Sequence, residues 1–386
     1  MKPTLLAMLV SCLGLLPVQA SANEALAPTL SSGLESGQGD STVRAQDDFF
    51  RHINGTWLKN TTIPADRAIW GGFHQLRDSV QTQLRAIIET AAAQPAGAAK
   101  AETRKVGDFY ASFMDEKKIA ELGINPLKTE LAQIAAVRSK ADLPRLIGYL
   151  SGIGVNTPYA YTVVQDNKDS TRYVVNLAQA GLGMPNRDYY LKPKDAALSL
   201  ARAKYQAHIE TLLTLAGQKD AASKAHRIVA LETRLAQVQW SKVENRDPVR
   251  SYNKVALKEL DALTPGYQWQ GFLQESGIGG KTEYVIVSQP SYLKGFAKLV
   301  QQVPLADWKA YFELRVMFEF AELLPQAYVD ADFAFRGQVL SGAKENRPRW
   351  KRGVALVNTE LGESIGKIYV EQHFSQNSKR RMETMV

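Results

Sequence analysis

The chain of 386 residues contains one cysteine, Cys12, and it falls inside an apolar N-terminal run. The residues beyond it can form no disulfide and offer no thiolate nucleophile, so stability has to come from a packed core. Histidine is scarce as well. The five are His52, His74, His208, His226 and His373, and no two stand four apart, the spacing by which one helix face presents two imidazoles to a metal ion. None of them is expected to bind a metal. No Gly-x-x-x-x-Gly-Lys loop and no Gly-x-Gly-x-x-Gly fingerprint occurs, which removes the common nucleotide-binding classes, and no serine-hydrolase elbow is expected. Beyond the N-terminus, no segment approaches the roughly 18 uninterrupted apolar residues that a membrane helix needs.

What is present is the composition of a folded globular protein, 45% hydrophobic and 22% charged. A core of one to three domains fits this length, because single cores stop growing at roughly 250 to 300 residues. The formal charge is +8, and about half of that surplus lies after Lys344, where nine basic residues meet five acidic ones. Trp350, Tyr369 and Phe374 are the aromatic residues of that basic stretch and no binding motif accompanies them, so no nucleic-acid partner is expected.

The N-terminus runs Met1-Lys2-Pro3, then apolar residues from Thr4 to Val18, then Ala20-Ser21-Ala22. This charged, apolar and small-residue succession reads as a signal peptide over 1–22, and hence as export to a bacterial periplasm or beyond. An alternative is a lipoprotein anchored through Cys12, since Leu9-Val10-Ser11 precedes it. Residues 23–45 carry few large apolar groups and read as a flexible linker.

From Asp47 the apolar period is mostly helical. Val80, Leu84, Ile87 and Ile88 make one stripe, and Tyr205, Ile209, Leu212, Leu213 and Ala216 make another. Ile228, Leu231, Leu235 and Val238 continue the pattern. Trp308, Tyr311, Phe312, Val316, Phe320 and Leu323 mark a bulkier helix that Pro325 should end or kink. Two stretches alternate instead: Tyr159, Tyr161, Val163 and Tyr173, Val175, Leu177 flank a polar turn and predict a β-hairpin, with Tyr284–Val287 as a further short strand. The fold class is mainly α, a large helical domain with a minor β-hairpin. Among carboxylates, Asp47-Asp48 should cap a helix, and Glu360 and Glu363 are expected on one solvated helical face. These residues alone supply no active site.

Read as motifs, the chain is more specific. Asp47-Asp48-Phe49-Phe50, followed by Asn54-Gly55-Thr56-Trp57, resembles the opening of the neprilysin-like (M13) zinc metallopeptidases. Ile63-Pro64, Gly71-Gly72-Phe73 with Leu76-Arg77-Asp78, and Gly107-Asp108-Phe109-Tyr110 follow in the family's order. So do Gly181-Leu182-Gly183-Met184-Pro185-Asn186-Arg187-Asp188-Tyr189-Tyr190, Arg246-Asp247-Pro248, Tyr252-Asn253-Lys254, Arg349-Trp350-Lys351-Arg352 and Gly366-Lys367-Ile368-Tyr369-Val370-Glu371. Each motif also has a plain physical reading: Trp57 in the core, a turn at 181–185, and an Arg187–Asp188 ion pair.

The resemblance implies that 46–386 is the N-terminal, cavity-capping domain of such an enzyme, cut off before the zinc-binding catalytic domain. The family's His-Glu-x-x-His, in which two histidines hold zinc and the glutamate activates water, does not occur here. Gly362-Glu363-Ser364-Ile365-Gly366 only superficially resembles the family's later Glu motif. The resemblance therefore implies zinc in an intact family enzyme, none bound by this chain, and no catalytic residue in it. Its partners would be small to medium peptides and the missing catalytic domain. Phe73, His74 and Arg77 would reach the substrate cavity, Phe73 as an apolar wall and Arg77 as a charge for a peptide carboxylate. The competing expectation is a catalytically inactive peptide-binding or interaction protein of the same descent.

Export is checked by N-terminal sequencing of the mature protein, which should begin at Asn23. An intact Met1 on cytoplasmic protein would contradict both the signal peptide and the lipoprotein alternative.

Overall fold

The computed structural model describes residues 36–94 and 101–386, so the expected signal peptide lies outside the described residues. The chain divides into two compact units, one ending at Thr62 and one beginning at Ile63. The described part of the first is small. Helix α1, Phe49–Asn60, starts where Asp48 accepts the Arg51 N–H at 2.9 Å, which is the cap expected of the Asp47-Asp48 pair. Of the linker stretch, residues 36–45 hold a short 3-10 turn and the buried Asp40, whose carboxylate takes Thr42 and Lys59. Lys59 first, then Thr42, hold that carboxyl down at about 2. Within this unit Trp57 is half-buried rather than in a core.

The second unit is built on two apolar clusters. The smaller joins helix α2, Gly72–Ala92, to helix α3, Ala101–Met114, and to the helices Arg349–Glu360 and Gly362–His373. Its buried contacts include Leu84, Ile87, Ile88, Val106, Tyr110, Val354, Val357 and Ile365, so the stripe read from the sequence is the buried face of α2. The first turns of α2 are different. Phe73 is 87% exposed, and Ile69 and Leu76 beside it are bare as well, an apolar stripe with nothing against it among the described residues.

The larger cluster gathers the helices Ala196–Leu215, Ala221–Val238, Pro290–Gln302 and Leu305–Phe320 around a four-stranded sheet. Strands β1, Tyr159–Asp166, and β2, Asp169–Gln179, form the expected hairpin. The sheet is larger than that hairpin: β3, Lys254–Ala256, and β4, Tyr284–Val287, join it in the order β1-β2-β4-β3, with β2 and β4 parallel. Val285, Ile286 and Val287 are all buried, which suits a continuous apolar run to an inner strand. On the helix Leu305–Phe320, Trp308, Tyr311, Phe312 and Val316 are buried as read. That helix stops at Phe320, and Pro325 caps the next helix, Gln326–Asp332, instead of kinking this one.

Three further readings change. Glu360 ends one helix and Glu363 opens the next, so they do not share a helical face. Gly362-Glu363-Ser364-Ile365-Gly366 does have Gly-x-Ser-x-Gly spacing, but it forms the first turn of a helix that follows another helix. A nucleophile elbow needs a strand before the turn, so Ser364 is not one. Finally, Asp188 pairs with Lys192 at 2.9 Å, and Arg187 has no ion pair among the described residues.

His208 sits on the helix Ala196–Leu215 between the rings of Phe318 and Phe335, 5.5 and 5.2 Å away, and is 5% exposed. Burial first, then the nearby Arg336 cation, lowers its pKa from 6.5 to about 4. A depressed histidine is neutral when folded and protonated when unfolded between those values, so its stabilisation is complete above about pH 6.5 and lost on acidification towards 4. The loss is on the order of 3 kcal/mol. His208→Phe should flatten the fall in Tm between pH 6.5 and 4; an unchanged pH slope would contradict the assignment.

Candidate functional site

The residues read as site candidates come from the approach to α2 and its first turns, and the structure treats them unequally. His74 and Arg77 line a cavity of about 390 Å³. Phe73 points away from it into solvent, on the bare stripe. The opposite wall is a π-helix, Phe333–Leu340, continuing the helix Gln326–Asp332, followed by the loop that carries Glu345, Asn346 and Arg347.

Ion pairs hold the floor. Arg67 binds Asp78 and lies 5.4 Å from the Trp70 ring, and Lys351 binds Asp66 at 2.8 Å. Across the cavity Arg336 binds Asp332 at 2.6 Å and donates to the Phe318 carbonyl oxygen at 3.0 Å. Burial pushes the Asp332 carboxyl up, and Arg336 opposes that shift. Four lining charges are left over: Arg77 and Arg347, and Glu322 and Glu345, make no ion pair among the described residues. The cavity therefore offers cations for a carboxylate and carboxylates for an amine. It offers nothing that resembles a nucleophile with its base.

Sequence reasoning missed the far wall. Arg347 belongs to the basic stretch after Lys344, which was read only as surplus charge, and no period announces a π-helix.

The resemblance implies zinc for an intact family enzyme, and three of the histidines have other surroundings. His52 is on α1 with Nδ1 2.8 Å from the Val43 carbonyl, His208 is enclosed by phenylalanines, and His373 lies against Tyr369. Among the described residues, no three His, Cys, Asp or Glu side chains gather around one point.

With a helical domain, a small sheet and a charged, half-open cavity established, comparison with known proteins places the class. The model of peptidase family M13 matches residues 45–386, and the chain belongs to that family. Endothelin-converting enzyme-like 1 of Rattus norvegicus is 29% identical over 364 residues, covering 90% of this chain and 46% of the relative. Endothelin-converting enzyme 1 of Mus musculus is also 29% identical, over 390 residues. Among solved structures, Mycobacterium tuberculosis zinc metalloprotease ZMP1 in complex with an inhibitor superposes with a TM-score of 0.85 at 38% identity, covering 92% of this chain and 53% of that one. The chain thus spans about half the length of the curated relatives it matches. No described helix is long and apolar enough to cross a membrane.

Proposed function

We propose that this chain is the N-terminal, substrate-cavity portion of an exported zinc metalloendopeptidase, and that it selects and holds peptides while hydrolysis belongs to a zinc-binding domain outside these residues. The observation that carries the reading is the start of α2. It closes a cavity with unpaired charges of both signs and also leaves Phe73 and Leu76 exposed to solvent. An uncovered apolar stripe is costly for an isolated domain and expected where another domain is to be covered. Membership of the M13 family and the half-length match to its relatives support the same division.

In this reading the chain's own residues bind and orient. Arg77 and Arg347 take a peptide carboxylate through charge-assisted hydrogen bonds, and Glu322 or Glu345 takes an ammonium group. Arg336 stays occupied by Asp332 and stiffens the wall. Zinc, when bound by the catalytic part, supplies a water acidified from ~15.7 towards ~7. The second reading, a catalytically inactive peptide binder of the same descent, would use the same unpaired charges of the cavity.

A labelled peptide of about ten residues should bind the purified chain saturably, and Arg77→Gln should weaken binding about tenfold. With zinc added, the chain should neither retain one ion nor cut the peptide. Stoichiometric zinc with chelator-sensitive cleavage would contradict the proposal. Sequencing the gene past the codon for Val386 separates the two readings, since a His-Glu-x-x-His favours the peptidase and unrelated sequence favours the binder.

A further inference from the structure

A second cleft, of about 440 Å³, lies between the 180–187 loop and the 239–245 segment. It contains none of the residues discussed as a peptide site, and its free side-chain groups are mainly donors. Asn156 accepts the Gly181 N–H on Oδ1 at 3.1 Å, and Asn186 accepts the Asp188 N–H at 3.0 Å. A backbone N–H can meet only an oxygen, so both amides have a fixed orientation, with their NH₂ groups left over. Asn245 is fixed by a longer argument. Gln289 accepts the Gln179 N–H on Oε1 at 2.8 Å, so its nitrogen is what reaches Asn245, at 3.1 Å, and Asn245 must present its oxygen there. Its NH₂ is also left over.

Two cations complete the lining, Arg187 and Lys242, and neither has an ion pair among the described residues. No Asp or Glu lines the cleft. The nearest carboxylates have bonded partners outside the cleft, Asp188 with Lys192 at 2.9 Å and Glu244 with Ser241 at 2.8 Å and Arg250 at 3.7 Å; Arg187 also acts on Glu244 through space, without an ion-pair contact. The leftover side-chain groups are thus mainly donors, three amides and two cations, against one free acceptor, the Oε1 of Gln239, whose Nε2 donates to the Ala180 carbonyl oxygen at 2.8 Å, and an acceptor-rich anion matches such a set. Leu182, Pro185 and Trp240 add apolar wall between the donors. The frame is stiff, because Gln179 binds both the N–H and the carbonyl of Trp240, at 2.7 and 3.0 Å.

We infer that this cleft is a binding site for an acidic peptide segment, with Arg187 and Lys242 on its carboxylates and the asparagine amides on its carbonyl oxygens. The anion half of the assignment rests on the cleft alone, and the peptide half rests on the function proposed above.

The test uses the full chain and a fluorescein-labelled peptide alternating Glu and Leu, with a Gln-for-Glu copy as control. The acidic peptide should bind saturably and weaken at least tenfold in Arg187→Gln/Lys242→Gln, with thermal unfolding unchanged. Because Lys242 is exposed, Lys242→Glu serves as a second variant that cannot fail by misfolding of the loop, and it should weaken binding further than Lys242→Gln. Measured in an Arg77→Gln background, which weakens the first cavity, the loss in Arg187→Gln/Lys242→Gln should persist, which keeps the outcome separate from that of the first cavity. Equal binding of the Gln copy, or indifference to both sets of variants, would overturn the site. Displacement by inorganic phosphate at the peptide's own concentration would overturn the peptide assignment and leave a small-oxyanion site.

Discussion

The carboxylate of Glu232, wholly buried on the helix Ala221–Val238, is the constraint around which the larger unit is arranged. A charge in such a place is tolerated only if hydrogen bonds replace its water. Tyr190 Oη donates to it at 2.6 Å and Tyr205 Oη at 3.0 Å. Burial pushes the carboxyl up, and Arg315 and the two tyrosines oppose that shift. Tyr190 Oη also accepts the Met184 N–H at 3.1 Å, so the loop before it is tied to the same group. Tyr311 adds a bond to the Gly181 carbonyl oxygen at 2.7 Å.

This arrangement explains why the motif over 181–190 reads as it does. Gly181 holds φ +85, a backbone setting that favours glycine, and a Cβ on Gly183 would lie 1.7 Å from the Tyr205 hydroxyl. Both glycines, Met184 and Tyr190 therefore serve the anchoring of one loop, and that loop is a wall of the donor-lined cleft. Arg187, the motif's charged residue, is the member left without an internal ion pair and free to face a ligand.

Much of the fold was legible because it follows from period. Tyr205, Ile209, Leu212 and Leu213 recur at helical spacing and are buried together, and the alternation around Tyr159 and Val175 became the hairpin. Strand β3 was not legible, because Lys254–Ala256 is too short to carry a period. Sites were legible only where neighbours in sequence stay neighbours in space. His74 and Arg77, three apart on α2, share a cavity; Phe73, on the same turns of the helix, is exposed and outside its lining. The cleft could not be read at all, since Asn156, Arg187 and the pair Lys242 and Asn245 are far apart in the sequence and only the fold brings them to one lining.

Glu232 anchors the 181–190 loop, and hydrogen exchange of Glu232→Gln tests this most directly. Losing the charge from bonds to two buried hydroxyls should cost about 1–3 kcal/mol locally. The Met184 amide and its neighbours over 181–190 should then exchange roughly ten- to a hundredfold faster, while the cores of the helices Ala196–Leu215 and Ala221–Val238 keep their protection. Unchanged exchange in the loop, or an equal rise throughout the unit, would contradict it.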